Sequence, residues 1–243
     1  MKVICFGDSN TYGYDPRPLD GGRYDASCRW VDILEAQTGW TVCNLGQNGR
    51  EIPDEPPAFP PDTDLLIVML GSNDLLQGRS PADAACRLEA FLCGLTLPRD
   101  RLLLIAPPAM ISGSWVPNSK MIEDSRTFAA LCRQLAARLG IRFADASAWN
   151  IPLGCDGVHL TEEGHRLFAA GLLEALRWLF KKTLFRKKRG DVFLPLFYNV
   201  FYNARPAAGT FGPIGGITPP GKGAFFKVFG CIALRQLPSP KHI

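Results

Sequence analysis

Five short apolar runs constrain this chain more than any other feature. They fall at residues 2–6, 41–45, 64–70, 101–106 and 141–144. Continuous apolar runs of this length suit strands buried on both faces, not amphipathic helices. Helix-like stretches lie between and after them. Residues 30–38 are followed by Gly39, and residues 82–95 follow Pro81 with Ser80 placed to cap them. Residues 120–139 stop at Gly140, the expected C-cap residue. Residues 161–180 open on Thr161, with Glu162 and Glu163 in the first turn, where the helix dipole favours acids. Strands alternating with helices predict an α/β fold with a parallel sheet covered on both faces. In such sheets, sites lie beyond the carboxyl ends of the strands.

The length, 243 residues, is enough for one sizeable α/β domain with an appendage. No apolar run reaches the roughly 18 residues of a spanning helix. The segment before Gly7 is too short for a signal peptide. None of the eight cysteines (5, 28, 43, 86, 93, 132, 155 and 231) forms a C-x-x-C pair, so the usual zinc spacing is absent. They read as small buried hydrophobes in a reducing compartment, and a cytoplasmic location is expected.

Charge divides the chain in two. Residues 181–243 hold 11 of the 27 lysines and arginines but one of the 23 acids, Asp191. The basic balance therefore belongs to the tail and carries no information about the substrate of the main domain. The tail has a basic cluster at 181–189, an aromatic-rich stretch at 191–202 and a Gly/Pro-rich stretch at 204–220. We expect a catalytic domain at 1–180 and a poorly ordered tail at 181–243.

Candidate chemistry starts at Gly7-Asp8-Ser9-Asn10, directly after the first run. A serine at the carboxyl end of a central strand can present its hydroxyl at the sheet edge, although the same residues also suit a helix N-cap. Asp156-Gly157-Val158-His159 stands just before the last helix. Serine is a weak nucleophile at neutral pH and needs a base. Histidine, with an unperturbed pKa of about 6.5, fits that role. The imidazole in turn needs a carboxylate to hold its tautomer, and an aspartate on the same turn supplies one. A surface histidine beside a turn aspartate would look the same. The other two histidines are His165, inside the last helix and read as structural, and His242 in the tail. Two further segments, Asn44–Arg50 and Gly71–Asp74, each follow an apolar run and offer glycine and asparagine donors of the kind an oxyanion needs. Taken singly, each could be a turn.

In chain order, Ser9, Gly49, Asn73 and the Asp156/His159 pair resemble the four blocks of the SGNH (GDSL-type) hydrolase family. Residues 6–10 match the first block, except that Asn10 stands where many members have Leu. Asn48-Gly49-Arg50 matches the second, Gly71-Ser72-Asn73-Asp74 the third and Asp156-Gly157-Val158-His159 the last. The resemblance spans roughly residues 2–178. The opening at 6–14 and the Arg29-Trp30 pair further resemble the bacterial arylesterase/acyltransferase branch.

The resemblance implies a three-layer α/β/α sandwich with a flavodoxin-like parallel sheet. It implies a serine esterase working through an acyl-enzyme, with Ser9 as nucleophile, His159 as base and Asp156 orienting it. The Ser9 and Gly49 N–H groups and the Asn73 amide would form the oxyanion hole. No cofactor and no metal are expected. Asp8 and Asp74 are expected to bond loop backbone. The α/β-hydrolases, with G-x-S-x-G and an acid well before the histidine, are excluded.

The expected partner is a small-molecule ester with a short acyl group, and no nucleic acid. Tyr12, Tyr14, Trp115 and Trp149 are candidates for lining the pocket. Two other readings stand beside this one. One is a non-catalytic binding domain of the same shape. The other is a membrane-associated lipase anchored by the basic cluster and the aromatics after it.

Overall fold

Along the first apolar run, alternate residues go to opposite faces of a sheet. Val3 and Cys5 pack under one layer of helices, Ile4 and Phe6 under the other. The structure, a computed structural model, describes residues 1–17 and 21–186, with side chains through Trp178. In chain order the elements are β1 (Lys2–Gly7), α1 (Ser9–Tyr12), β2 (Tyr14–Asp15), β3 (Gly22–Arg23), α2 (Trp30–Thr38), β4 (Thr41–Gly46), β5 (Leu65–Met69), α3 (Ser72–Leu76), α4 (Pro81–Gly94), β6 (Leu102–Ala106), α5 (Ser119–Leu139), β7 (Arg142–Asp145) and α6 (Glu162–Arg186).

Five strands form one parallel sheet in the order β4-β1-β5-β6-β7, while β2 and β3 pair as a short antiparallel ribbon. Counted along the main sheet alone, this is the flavodoxin-like order 2-1-3-4-5. The chain steps from β1 outward to β4, then returns to the other side of β1 for β5. That reversal opens a crevice at the carboxyl end of β1, where ligands bind in open α/β sheets. Gly7 at the end of β1 is level with Gly46 of β4 and Met69 of β5. The segments that follow these three strands therefore emerge together.

The helices cover both faces, as the alternation predicts. Ile4, Phe6, Leu66, Val68 and Leu104 pack with Leu88 and Phe91 of α4 and Phe128 and Leu135 of α5. Val3, Cys5, Ile67, Leu103 and Ile105 pack with Trp30 and Leu34 of α2 and Phe168 and Leu172 of α6. Phe6 stacks on Phe91 with centroids 5.6 Å apart, a contact worth about 0.5–1.5 kcal/mol beyond the area it buries. The expected caps form too. Ser80 Oγ accepts from Asp83 N–H at 3.1 Å, and Thr161 Oγ1 accepts from Gly164 N–H at 2.9 Å.

Three expectations need correction. Neither edge run is buried on both faces: the run at 141–144, as β7, leaves Arg142, Phe143 and Asp145 half-buried, and the run at 41–45 is more open still. As the edge strand β4, it leaves Thr41, Cys43 and Leu45 exposed and Val42 and Asn44 half-buried. Two of its amides are taken by side chains instead of a strand: Val42 N–H donates to Glu35 Oε1 at 3.1 Å and Gly46 N–H to Asn44 Oδ1 at 2.9 Å. The cysteines are not uniformly buried either. Cys5 and Cys132 are buried, and burial pushes both thiols up. Cys28 is half-buried, while Cys43, Cys86, Cys93 and Cys155 are exposed, because they lie on the edge strand, the outer side of α4 and a surface loop. Finally, the last helix does not stop at residue 180 but runs to Arg186. Cys231, His242 and the expected disorder beyond that point lie outside the described residues. Among the described residues no helix is long and apolar enough to cross a membrane.

Candidate active site

β1 delivers Ser9 to the crevice. Asp8 caps the short helix α1, with Oδ1 accepting from Asn10 N–H at 3.0 Å. Ser9 is the first residue of α1, so its N–H has no acceptor within the helix. Burial pushes the Asp8 carboxyl up to about 6, against the pull of the Asn10 amide, His159 and Arg50.

The loop before α6 supplies the facing group. Asp156 Oδ1 accepts from Val158 N–H at 2.8 Å and from His159 N–H at 2.9 Å, folding the loop into a tight turn. Its other oxygen, Oδ2, lies 2.7 Å from His159 Nδ1. Burial raises the Asp156 carboxyl, but the His159 side chain and the two backbone amides outweigh it and hold the group below its usual range. His159 Nε2 lies 2.9 Å from Ser9 Oγ. Serine, imidazole and carboxylate therefore form one continuous buried line. The carboxylate, an acceptor only, places the imidazole proton on Nδ1 and leaves the Nε2 lone pair facing the serine hydroxyl.

The second and third blocks close the other side. Gly46 and Gly49 have different tasks. A Cβ on Gly46 would lie 2.0 Å from Tyr12 N, so this glycine lets α1 pack on β4. Gly49 has φ +71° with open space where a Cβ would stand, so its glycine serves a left-handed turn whose N–H can be offered outward. Asn73, in the first turn of α3, donates one amide hydrogen to the Arg50 carbonyl at 3.0 Å. The amide's second hydrogen remains for a ligand. Asp74 bonds loop backbone as expected, Oδ2 accepting from Ile52 N–H at 2.9 Å, whereas Asp8 bonds the first turn of α1 instead.

The sequence gives Arg50 a place in the second block but no task. Its guanidinium donates to the Gly7 carbonyl at 2.8 Å, also to the Leu45 carbonyl, and lies over the Phe6 ring. It thereby ties the Gly49 turn to the ends of β1 and β4.

The four aromatic candidates separate. The Tyr14 ring lies 4.4 Å and the Trp115 ring 5.1 Å from the His159 ring, centroid to centroid. Trp115 is 48% exposed, on a loop whose Ser114 and Trp115 N–H groups donate to the Cys155 and Asp156 carbonyls. Trp149 instead packs, half-buried, on Phe168 and Gly171 at the edge of the core. Tyr12 lies under the Arg23 guanidinium. His165 is structural: Nδ1 accepts from Trp30 N–H at 3.4 Å, and burial lowers its pKa to about 4. Among the described residues no set of His, Cys, Asp and Glu side chains gathers as a metal-ligand group.

A family model for the GDSL-like lipase/acylhydrolases matches residues 5–167, which include Ser9, Gly49, Asn73, Asp156 and His159, and the chain belongs to that family of hydrolases. Among solved structures, the chain resembles the native aryl esterase of M. smegmatis at 26% identity and TM-score 0.61, over 73% of this chain and 99% of that one. It resembles a carbohydrate acetylesterase family member from Sinorhizobium meliloti at 26% identity and TM-score 0.61, over 73% of this chain and 98% of that one. No curated protein matches the sequence.

Proposed function

We propose that the chain is a serine esterase that cleaves small-acyl carboxylic esters through an acyl-enzyme on Ser9. The observation that carries this reading is the buried Ser9–His159–Asp156 line, with spacings of 2.9 and 2.7 Å. Ser9 Oγ attacks the ester carbonyl carbon while its proton passes to His159 Nε2, and the carbonyl π pair moves onto oxygen. The Ser9 and Gly49 N–H groups and the free Asn73 amide hydrogen hold that oxyanion. They are fixed before reaction, so no reorganisation is needed as charge develops. Collapse expels the alcohol, which takes the proton from Nε2. Water then attacks the acyl-enzyme, again giving its proton to His159, and the acid leaves as Ser9 Oγ is reprotonated. An alcohol in place of that water gives transesterification.

The leaving alcohol must sit beside His159, which protonates it. Tyr14 and Trp115 lie against that imidazole, so a planar aryl alcohol or the apolar face of a sugar suits the place. The aryl esterase and the acetylesterase family member among the structural relatives fit the same reading. We further place the end of the catalytic unit at the end of α6.

The test compares acetyl, butanoyl and octanoyl esters of p-nitrophenol, together with ethyl acetate, in wild type and Trp115→Ala. Hydrolysis should be fastest for the acetyl ester. Trp115→Ala should raise KM for the aryl ester about tenfold, the worth of roughly 1.4 kcal/mol of stacking, and change ethyl acetate little. Absence of hydrolysis on every ester would overturn the reading.

A further inference from the structure

Asn10 stands where many family members have leucine, and the structure gives its side chain a specific task. It is 3% exposed, in the first turn of α1 directly after Ser9. Its Nδ2 donates to the Val158 carbonyl at 3.1 Å, and its Oδ1 accepts from Leu160 N–H at 2.9 Å. These partners dictate the orientation of the amide, since a carbonyl needs a donor and an N–H an acceptor. They are the backbone groups immediately before and after His159. Asn10's own backbone is fixed as well, its N–H on Asp8 Oδ1 at 3.0 Å and its carbonyl accepting from Trp30 Nε1 at 2.9 Å.

We propose that Asn10 is a positioning residue for the general base. It holds the backbone on both sides of His159 at a set distance from Ser9. The inference rests on the Ser9–His159–Asp156 reading. Asp156 cannot do this job, because its three bonds all stay within its own turn and orient the ring only relative to that turn. The backbone bonds from Ile111, Ser114 and Trp115 tie the turn to a neighbouring loop. The Asn10 bonds run to it from the nucleophile's own helix. A leucine could fill the volume but could not measure the distance.

The test uses full-length Asn10→Leu, Asn10→Asp and Ser9→Ala, with kcat, KM and melting temperature measured from pH 5.5 to 9. Asn10→Leu should lower kcat about 100-fold, the cost of a misplacement on the order of 1 Å, with KM nearly unchanged. Asn10→Asp distinguishes positioning from packing. As a neutral acid it reproduces both bonds, its hydroxyl donating to Val158 and its carbonyl accepting from Leu160. As a carboxylate it repels the Val158 carbonyl. Asp8, Asp156, His159 and, through Trp30, His165 are the titratable groups around it. Burial and the two carboxylates favour the neutral form. Activity of Asn10→Asp relative to wild type should therefore be highest at the acidic end and fall toward the Asn10→Leu level as pH rises. If Asn10→Leu misfolds, this profile decides alone. Asn10→Asp activity held at the Asn10→Leu level across the whole range, or a wild-type kcat for Asn10→Leu, with Ser9→Ala inactive, would overturn the inference and leave the esterase reading standing. An active Ser9→Ala would instead overturn the esterase reading.

Discussion

Ser9 and His159 meet at 2.9 Å, yet the two halves of that contact are built differently. Ser9 rides on β1, a central strand paired along its length with β4 and β5. Its place, two residues beyond that strand, is set by the backbone ladder and the Asp8 cap on α1. His159 sits on a loop with one isolated bridge, Leu153 to Leu160. There, scattered backbone bonds such as Gly154 N–H to the His159 carbonyl at 2.7 Å, together with the Asp156 and Asn10 side chains, do what the ladder does on the serine side. Loop-borne groups should thus lose catalysis before stability, whereas the strand-borne turn should fail only with the sheet.

The largest effect should come from the strand side. Ser9→Ala removes the proposed nucleophile and should lower kcat on p-nitrophenyl acetate on the order of 10^5-fold or more, with an unchanged circular dichroism spectrum. Residual activity near wild type would break the comparison, because Ser9 would then not be the group His159 serves. Asp156→Asn is the loop-side counterpart. An asparagine can still accept from the Val158 and His159 amides, but its NH2 toward Nδ1 selects the wrong tautomer. A kcat loss of about 10^4-fold is expected, with a melting temperature close to wild type. A melting temperature that fell together with kcat would show that the loop is a stability element after all.

Asn73→Ala sharpens the contrast from the oxyanion side. One lost donor should reduce kcat about 100- to 1,000-fold with KM nearly constant. A change confined to KM would make Asn73 a substrate-binding group.

Beneath the loop, His165 and Asp8 should act on stability in opposite senses. Burial lowers His165 to about 4, so its contribution is full above the unfolded value of about 6.5 and is lost as pH falls toward 4. Burial raises Asp8 to about 6 from 3.8, so its contribution is full below 3.8 and is lost as pH rises through 6. Thermal melts between pH 6.5 and 4.5 should show His165→Gln less acid-sensitive than wild type, with an upper limit on the order of 3 kcal/mol. Identical slopes would mean that the buried imidazole takes up its proton without cost. The smallest effect is expected from truncation after Arg186, which should leave kcat/KM within about threefold. A larger loss would move the boundary of the catalytic unit into the tail.

The same contrast explains what was legible in the sequence. The runs that became β1, β5 and β6 are continuous because both faces of those strands are covered, and that pattern is local. The run at 41–45 looks similar, but whether it lies at an edge depends on topology, which no five residues encode. Ser9, Gly49, Asn73, Asp156 and His159 could be singled out as candidates because each follows a strand or precedes a helix in a recognisable block. Asn10 could not, since its partners lie 148 and 150 residues away and nothing near it marks the pairing. Trp115 and Trp149 were indistinguishable for the same reason. Both stand in loops, and only the folded chain puts one against His159 and the other against Phe168.

Among the described residues no strand pairs with the outer side of β4, which has a consequence for the protein at high concentration. An unpaired edge strand is a template on which a second chain can extend the sheet, and long runs of free amides make that growth self-propagating. Here the Glu35 and Asn44 side chains already occupy the amides of Val42 and Gly46. An incoming strand would first have to displace both before it could use the exposed Leu45. Each displacement adds to the cost of edge-to-edge growth, without any additional secondary structure.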